Sequence, residues 1–211
     1  MNNDILSIYG EWLKNDNLPP GKKKTLQAAL ELFSEQGYNG TSTAQIATKA
    51  GVSQATIFKY FKTKEELLYS IVAPVLPEIF GQFIVELKQY TNLEEAVAFI
   101  IHDRYQFLVA NQLIIKIIIQ ELFVNNDIKN RMKELFVENQ IFEQLTDWIE
   151  MLRSNNSQFR RELVVGEVIR IFISQLFTYF AQGYILDIPL KDEKKDLDKI
   201  AAQTITLLSE N

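Results

Sequence analysis

Residues 26–68 read LQAALELFSEQGYNGTSTAQIATKAGVSQATIFKYFKTKEELL, and their punctuation is that of four helices in tight succession. Leu26, Ala29, Leu30 and Phe33 recur at three- and four-residue spacing, which makes one apolar stripe along a helix. Gly37, followed by Tyr38-Asn-Gly-Thr, ends it. Ser42 or Thr43 then caps a short helix through Ala50, and Ser42 with Gln45 predicts a capping box. Gly51 supplies a turn that needs positive φ, and Ser53 caps the next short helix, Gln54–Phe61. Thr63-Lys-Glu-Glu66 predicts a second capping box, opening a longer helix from Lys64. Two short helices joined by a tight glycine turn and preceded by a longer helix form a helix-turn-helix.

Geometry sorts the second short helix into faces. At about 100° per residue, Ile57 and Phe61 fall together as the inward face. Lys59 and Thr56 lie opposite, flanked by Ala55 and Tyr60. Eight residues span about 12 Å, close to the width of a B-DNA major groove. Gln54 can reach a base edge from the first turn, and Thr56 offers a hydroxyl or a methyl to a base. Ala55 is small enough to let the backbone approach closely. Lys64, in the first turn of its helix, is disfavoured by the dipole but well placed to clamp a phosphate. Thr43 offers a similar contact, and Lys22, Lys23 and Lys24 can meet the flanking backbone. Each lysine alone reads as a solvated charge; together they form a pattern.

Charge makes that pattern visible. The 211 residues carry a net charge of −5, yet residues 20–64 hold seven Lys against Glu31 and Glu35. Residues 65–211 hold 14 basic and 22 acidic groups. A basic segment ahead of an acidic body points to a nucleic-acid partner for the segment alone. With no Cys and only His102, thiolate metal sites, disulfides and cysteine nucleophiles are excluded, and no metal or cofactor is expected. The opening Met-Asn-Asn-Asp lacks a secretory pattern, and the apolar run Leu113–Ile119 is too short to span a bilayer. A cytoplasmic protein without a membrane partner is expected.

The rest of the chain is also helical in pattern, so the fold class is all-α. Residues 1–19 form an amphipathic extension (Ile5, Ile8, Tyr9, Trp12) that stops at Pro19-Pro20. Asn92 with Glu95 opens a helix, and helical stretches are expected over 93–110, 112–124, 129–153, 159–184 and 193–208. The β-branched run Ile114–Ile119 has no strand-like partner segment, so it is read as a fully buried helix. Pro74 and Pro77 interrupt the helix leaving the basic segment.

The residues Ala-x-x-Leu-Phe, Gly-Tyr, Ile-Ala, Ala-Gly-Val-Ser, Ile-Phe-x-Tyr-Phe and Lys-x-Lys-Glu-Glu-Leu fall in order across 24–70. In this, the segment resembles the DNA-binding domain of the TetR family of bacterial transcriptional regulators. The resemblance implies a three-helix DNA-binding domain over 20–70, followed by a helical effector-binding and dimerisation domain over 71–211. It places Thr43, Gln54, Ala55, Thr56, Lys59, Tyr60 and Lys64 at DNA-contacting positions, with Lys24 a further candidate. Phe58 stands where Tyr is common, and Ala55 where Gly is frequent.

The implied function is a repressor of a near-palindromic operator in double-stranded DNA, released by a small molecule. Residues 159–184 are apolar around most of their circumference, and with 193–208 they are expected to form the homodimer interface. Polar groups within apolar helices, namely His102, Arg104, Tyr105, Glu121 and Gln175, are candidate effector contacts. An apolar or amphipathic effector suits the Ile- and Phe-rich helices. Two other readings are an architectural DNA-binding protein without an effector, and an enzyme built on His102 with Glu121. The second lacks a nucleophile motif and a phosphate-binding glycine loop, so no catalytic residue is assigned.

Overall fold

The computed structural model describes residues 5–210; the Met1–Asp4 opening and Asn211 lie outside the described residues. Among the described residues there are twelve helices and no strand, only an isolated bridge between Phe159 and Ser209. The fold is all-α. The chain forms two compact units, neither contiguous in sequence. One comprises Met1–Ile79 and Asn111–Asn139, the other Phe80–Ala110 and Gln140–Asn211.

The first unit contains α1 (Ile5–Asn15), α2 (Pro20–Gln36), α3 (Thr43–Ala50), α4 (Gln54–Tyr60) and α5 (Lys64–Val72), together with α8 (Gln112–Val124) and α9 (Asn126–Glu138). Its centre is α2, which buries Leu26, Ala29, Leu30 and Phe33 against α3, α4 and α5. Gly37 takes φ +80° after α2, and buried Tyr38 packs on Phe33 at 5.1 Å between ring centroids. The Ser42 capping box forms as expected: the Gln45 amide N–H donates to Ser42 Oγ, and Gln45 Oε1 accepts from the Ser42 N–H at 2.8 Å. Gly51 closes α3 in the left-handed region at φ +64°.

The extension α1 buries Ile5, Tyr9 and Leu13, packs on α2, and has its Ile5 N–H capped by Asn111 Oδ1 at 2.7 Å. A cavity of about 570 Å³ remains between α1 and α2.

In the second unit, α7 (Leu93–Ala110) packs on α11 (Val165–Tyr184) and α12 (Glu193–Leu208), with α10 (Ile141–Asn155) beside α11. Asn156 is its polar staple. Buried to 6%, its Oδ1 accepts from the Leu93 N–H at 2.9 Å, while Nδ2 donates to Thr91 O and Leu152 O. The segment before α11 is tied to the end of α12, where the Arg160 N–H donates to Leu208 O and the Glu210 N–H to Gln158 O.

The chain first passes from one unit to the other within α6 (Leu76–Leu87), and does so again after Ala110 and after Asn139. Residues 64–87 are apolar and long enough to cross a membrane on composition alone. They are nevertheless interrupted at 73–75, and Leu67, Leu68, Ile71, Ile79 and Ile84 are buried within the protein.

Several expectations need correction. The second helix of the motif is one residue shorter, because Phe61 adopts an extended cap conformation. The Thr63 box is not reciprocal: Glu66 reaches back to the Lys62 N–H instead. Residues 129–153 are not one helix, since Gln140 takes φ +53° and separates α9 from α10. The helix expected from 159 begins at Val165, because residues 158–160 are held by the C-terminus. Finally, α8 is not fully buried: Ile114, Ile117 and Glu121 are, but Leu113, Phe123 and Val124 are exposed.

Candidate nucleic-acid interface

The surface of the first unit is organised by α4. Ser53 caps this helix, its Oγ accepting from the Thr56 N–H at 3.1 Å, and Ile57 anchors it at 1% exposure. With one side sunk in the core, Gln54, Ala55 and Lys59 are exposed and Thr56 and Tyr60 half-buried on the outer side. The Thr56 hydroxyl shares a hydrogen bond with Ser53 Oγ at 2.9 Å, which orients its methyl and hydroxyl in one rotamer. The aromatic neighbour Phe58 is 49% exposed, an apolar contact on the same short helix. Thr43 is the first residue of α3 and half-buried; Lys24 is exposed on α2.

The start of α2 lies directly beside this face. A Cβ at Gly21 would sit 3.4 Å from Thr56 Cγ2 and 3.5 Å from the Tyr60 ring. Lys22 places its ammonium 5.5 Å from the Phe61 ring centroid. Lys22 is therefore the α2 lysine fastened to the end of α4, a placement that no local pattern in the sequence signals. The free N–H groups at this uncapped end of α2, which starts at Pro20, add positive potential on the same side.

Not every lysine of the basic segment is available. Lys49 pairs with Glu31 at 3.2 Å and Glu35 at 3.0 Å. Lys64 turns inward. Its Nζ donates to Tyr38 O at 3.0 Å and Thr41 O at 3.3 Å, and lies 4.0 Å from the Tyr38 ring centroid.

The candidate effector residues are distributed over both units. In the second unit, His102 Nε2 contacts Asp198 Oδ1 at 3.0 Å, and Gln175 is half-buried on α11. Tyr105 is fully buried, 5.2 Å from the Tyr179 ring, and burial pushes its phenol pKa up. Arg104, held by Asp103 at 2.7 Å through Nε, stacks on Phe83 at 4.1 Å, and desolvation lowers its pKa. Glu121 belongs to the first unit, buried on α8. Among the described residues no group of three or more His, Cys, Asp or Glu side chains is placed to hold a metal.

Residues 26–71 match the family described as bacterial regulatory proteins, tetR family. The fatty acid metabolism regulator protein of Bacillus subtilis is 26% identical over 117 residues. That match covers 55% of this chain and 60% of the regulator, less than two thirds of its length. A TetR-family transcriptional regulator from Mesorhizobium loti shares the fold, with a TM-score of 0.65, 18% identity, and 90% of this chain and 97% of that one covered. So does the transcriptional regulator FadR from Bacillus subtilis, solved with stearoyl-CoA: TM-score 0.57, 20% identity, coverage 89% and 97%. Residues 26–71 thus carry the helix-turn-helix segment described for the tetR family of bacterial regulatory proteins, and the whole chain shares the fold of the solved structures named above.

Proposed function

We propose that the protein is a homodimeric transcriptional repressor that reads a near-palindromic operator through two copies of α4 and is released by a small amphipathic ligand. The observation that carries this reading is the α4 face itself, with Gln54, Ala55, Thr56, Lys59 and Tyr60 presented over a buried Ile57. In this reading residues 20–70 bind DNA, while residues 71–211 sense the ligand and dimerise. Within the N-terminal extension, α1 braces the head by packing on α2. The dimer interface is the outer side of α11 with α12, where Ile173, Phe177 and Leu207 are exposed. Such a DNA-binding role belongs in the cytoplasm.

The ligand class we favour is a long-chain acyl thioester. Its support is the stearoyl-CoA held by the Bacillus subtilis FadR structure, together with the apolar character of α7 and α11. A ligand that favours a conformation unsuited to DNA lowers operator affinity by the ratio of its affinities for the two states. The architectural alternative is not favoured, because the similar proteins named above are regulators.

The test is selection of preferred sequences by the wild type and four variants. Gln54→Ala and Thr56→Ala are expected to lose about tenfold discrimination, each at one base pair. Tyr60→Phe and Lys59→Ala are expected to weaken binding to all sequences alike, and Lys59→Ala to reduce the salt slope by about one. Uniform losses from all four would remove Gln54 and Thr56 from base reading.

A further inference from the structure

Lys64, the first residue of α5, is half-buried, and its ammonium is committed to the loop between α2 and α3. An ammonium has three N–H donors and no acceptor. Two of them go to the Tyr38 and Thr41 carbonyls at 3.0 and 3.3 Å, and the Tyr38 ring centroid lies 4.0 Å from the nitrogen. The acceptors are themselves fixed. Tyr38 is buried against Phe33, and Thr41 is 2% exposed. The Thr41 hydroxyl donates to Gly37 O at 2.8 Å, and its N–H to Tyr38 O at 3.2 Å.

This one side chain links the two helices of the motif. Thr41 immediately precedes Ser42, the N-cap of α3, so holding its carbonyl sets where α3 and Thr43 begin. Lys64 stands four residues beyond Tyr60, the last residue of α4. Between them Phe61 is buried and Thr63 caps α5, so the chain leaving α4 has little freedom. The helix dipole disfavours a cation in a first turn, and the two carbonyls offset that.

Resting on the DNA-binding reading above, we propose that Lys64 is a positioning residue and not a phosphate contact: it ties the entry of α3 to the exit of α4 and so holds the two helices in the relative setting that meets DNA. A phosphate recruits this ammonium only by stripping it from two carbonyls, one of them in a residue that water scarcely reaches. The exposed cation of the reading face is Lys59.

The first test uses the wild-type full chain, footprinted by brief lysine acetylation and mass spectrometry, alone and with a random-sequence DNA duplex. Lys64 is expected to react several times more slowly than exposed Lys24 in the free protein and to be unchanged by the duplex, whereas Lys59 is protected. The second uses Lys64→Met, which keeps an aliphatic stem over the Tyr38 ring but removes the donors and the charge. Its melting temperature is expected to fall by about 4 °C or more, because a buried carbonyl loses a charged donor. On the same duplex, anisotropy is expected to show binding roughly three- to tenfold weaker, with a salt slope changed by less than about 0.3, against a loss of about one for Lys59→Ala. Since the tie acts through the α3 entry, Thr43→Ala is expected to weaken binding about threefold in the wild type and to add almost nothing in Lys64→Met.

A salt slope lower by about one for Lys64→Met, or protection of Lys64 by the duplex, would make it a phosphate contact and overturn the proposal. An unchanged melting temperature, unchanged affinity, or additive losses with Thr43→Ala would each overturn it as well. A variant that fails to fold would support the tie, and the wild-type footprint then decides the DNA contact. Failure of the wild type to bind any duplex would instead overturn the DNA-binding reading, leaving the acetylation rate of free Lys64 and the melting shift to test the tie.

Discussion

Replacing Ile173 and Phe177 together by Glu is expected to yield a folded monomer whose operator affinity has fallen by a hundredfold or more. The two side chains lie one turn apart on α11, 59% and 40% exposed, and Leu207 on α12 is 41% exposed. The opposite side of α11 already buries Val168, Phe172, Leu176 and Phe180 in its own unit, so the exposed pair contributes little to the fold of one chain. Placed in a two-fold interface, each carboxylate would face its symmetry mate's apolar surface unpaired.

The consequence for DNA is large because α4, at seven residues, spans only about 10 Å and reads only one half-site. Joining two weak contacts typically gains two to four orders of magnitude in affinity, and the monomer forfeits that gain. Sedimentation velocity and anisotropy on the same samples provide the check. A variant that remains dimeric, or a monomer that binds as tightly as wild type, contradicts this interface.

The largest stability effect is expected from Asn156→Ala, about 3 kcal/mol or more. The substitution strips the partner from the Leu93 N–H and from the Thr91 carbonyl, while the Leu152 carbonyl keeps the Asn156 backbone N–H. Leu93 is fully buried and Asn156 is 6% exposed, so water does not readily replace the partner of the Leu93 N–H. Each orphaned backbone group costs on the order of 1–3 kcal/mol, and water entering the small vacancy recovers part of that. Urea denaturation measures the loss directly. A change below about 1 kcal/mol would show that the start of α7 and the end of α10 do not depend on this side chain.

The helix-turn-helix segment was largely legible because its signals are local. Ser42 with Gln45, Gly51, Ser53 and Thr63 each act within four residues, and their caps form where the spelling places them. What sequence reasoning missed depends on distance or on an unmarked backbone. Nothing in Asn139-Gln140 announces a break, since a non-glycine residue at φ +53° carries no compositional signature. Residues 159–164 look helical, but at the start of this stretch the Arg160 N–H donates to Leu208 O and Gln158 O accepts from the Glu210 N–H.

The candidate site divides in the same way. Helical geometry alone assembled the α4 face, whereas the inward turn of Lys64 requires carbonyls 23 and 26 residues away. Glu121 was readable as an anomalous polar group in an apolar helix. That it is buried, in the compact unit that holds the helix-turn-helix, is a tertiary fact.

The most direct test of the central claim is to select bound genomic fragments, then titrate the protein by anisotropy onto the recovered site and onto its shuffled copy. The expected result is a shared two-fold symmetric site, bound at least a hundredfold more tightly than the shuffled DNA at moderate salt, and released by stearoyl-CoA. Recovery of no common site, with equal and salt-sensitive binding to both duplexes, would contradict it.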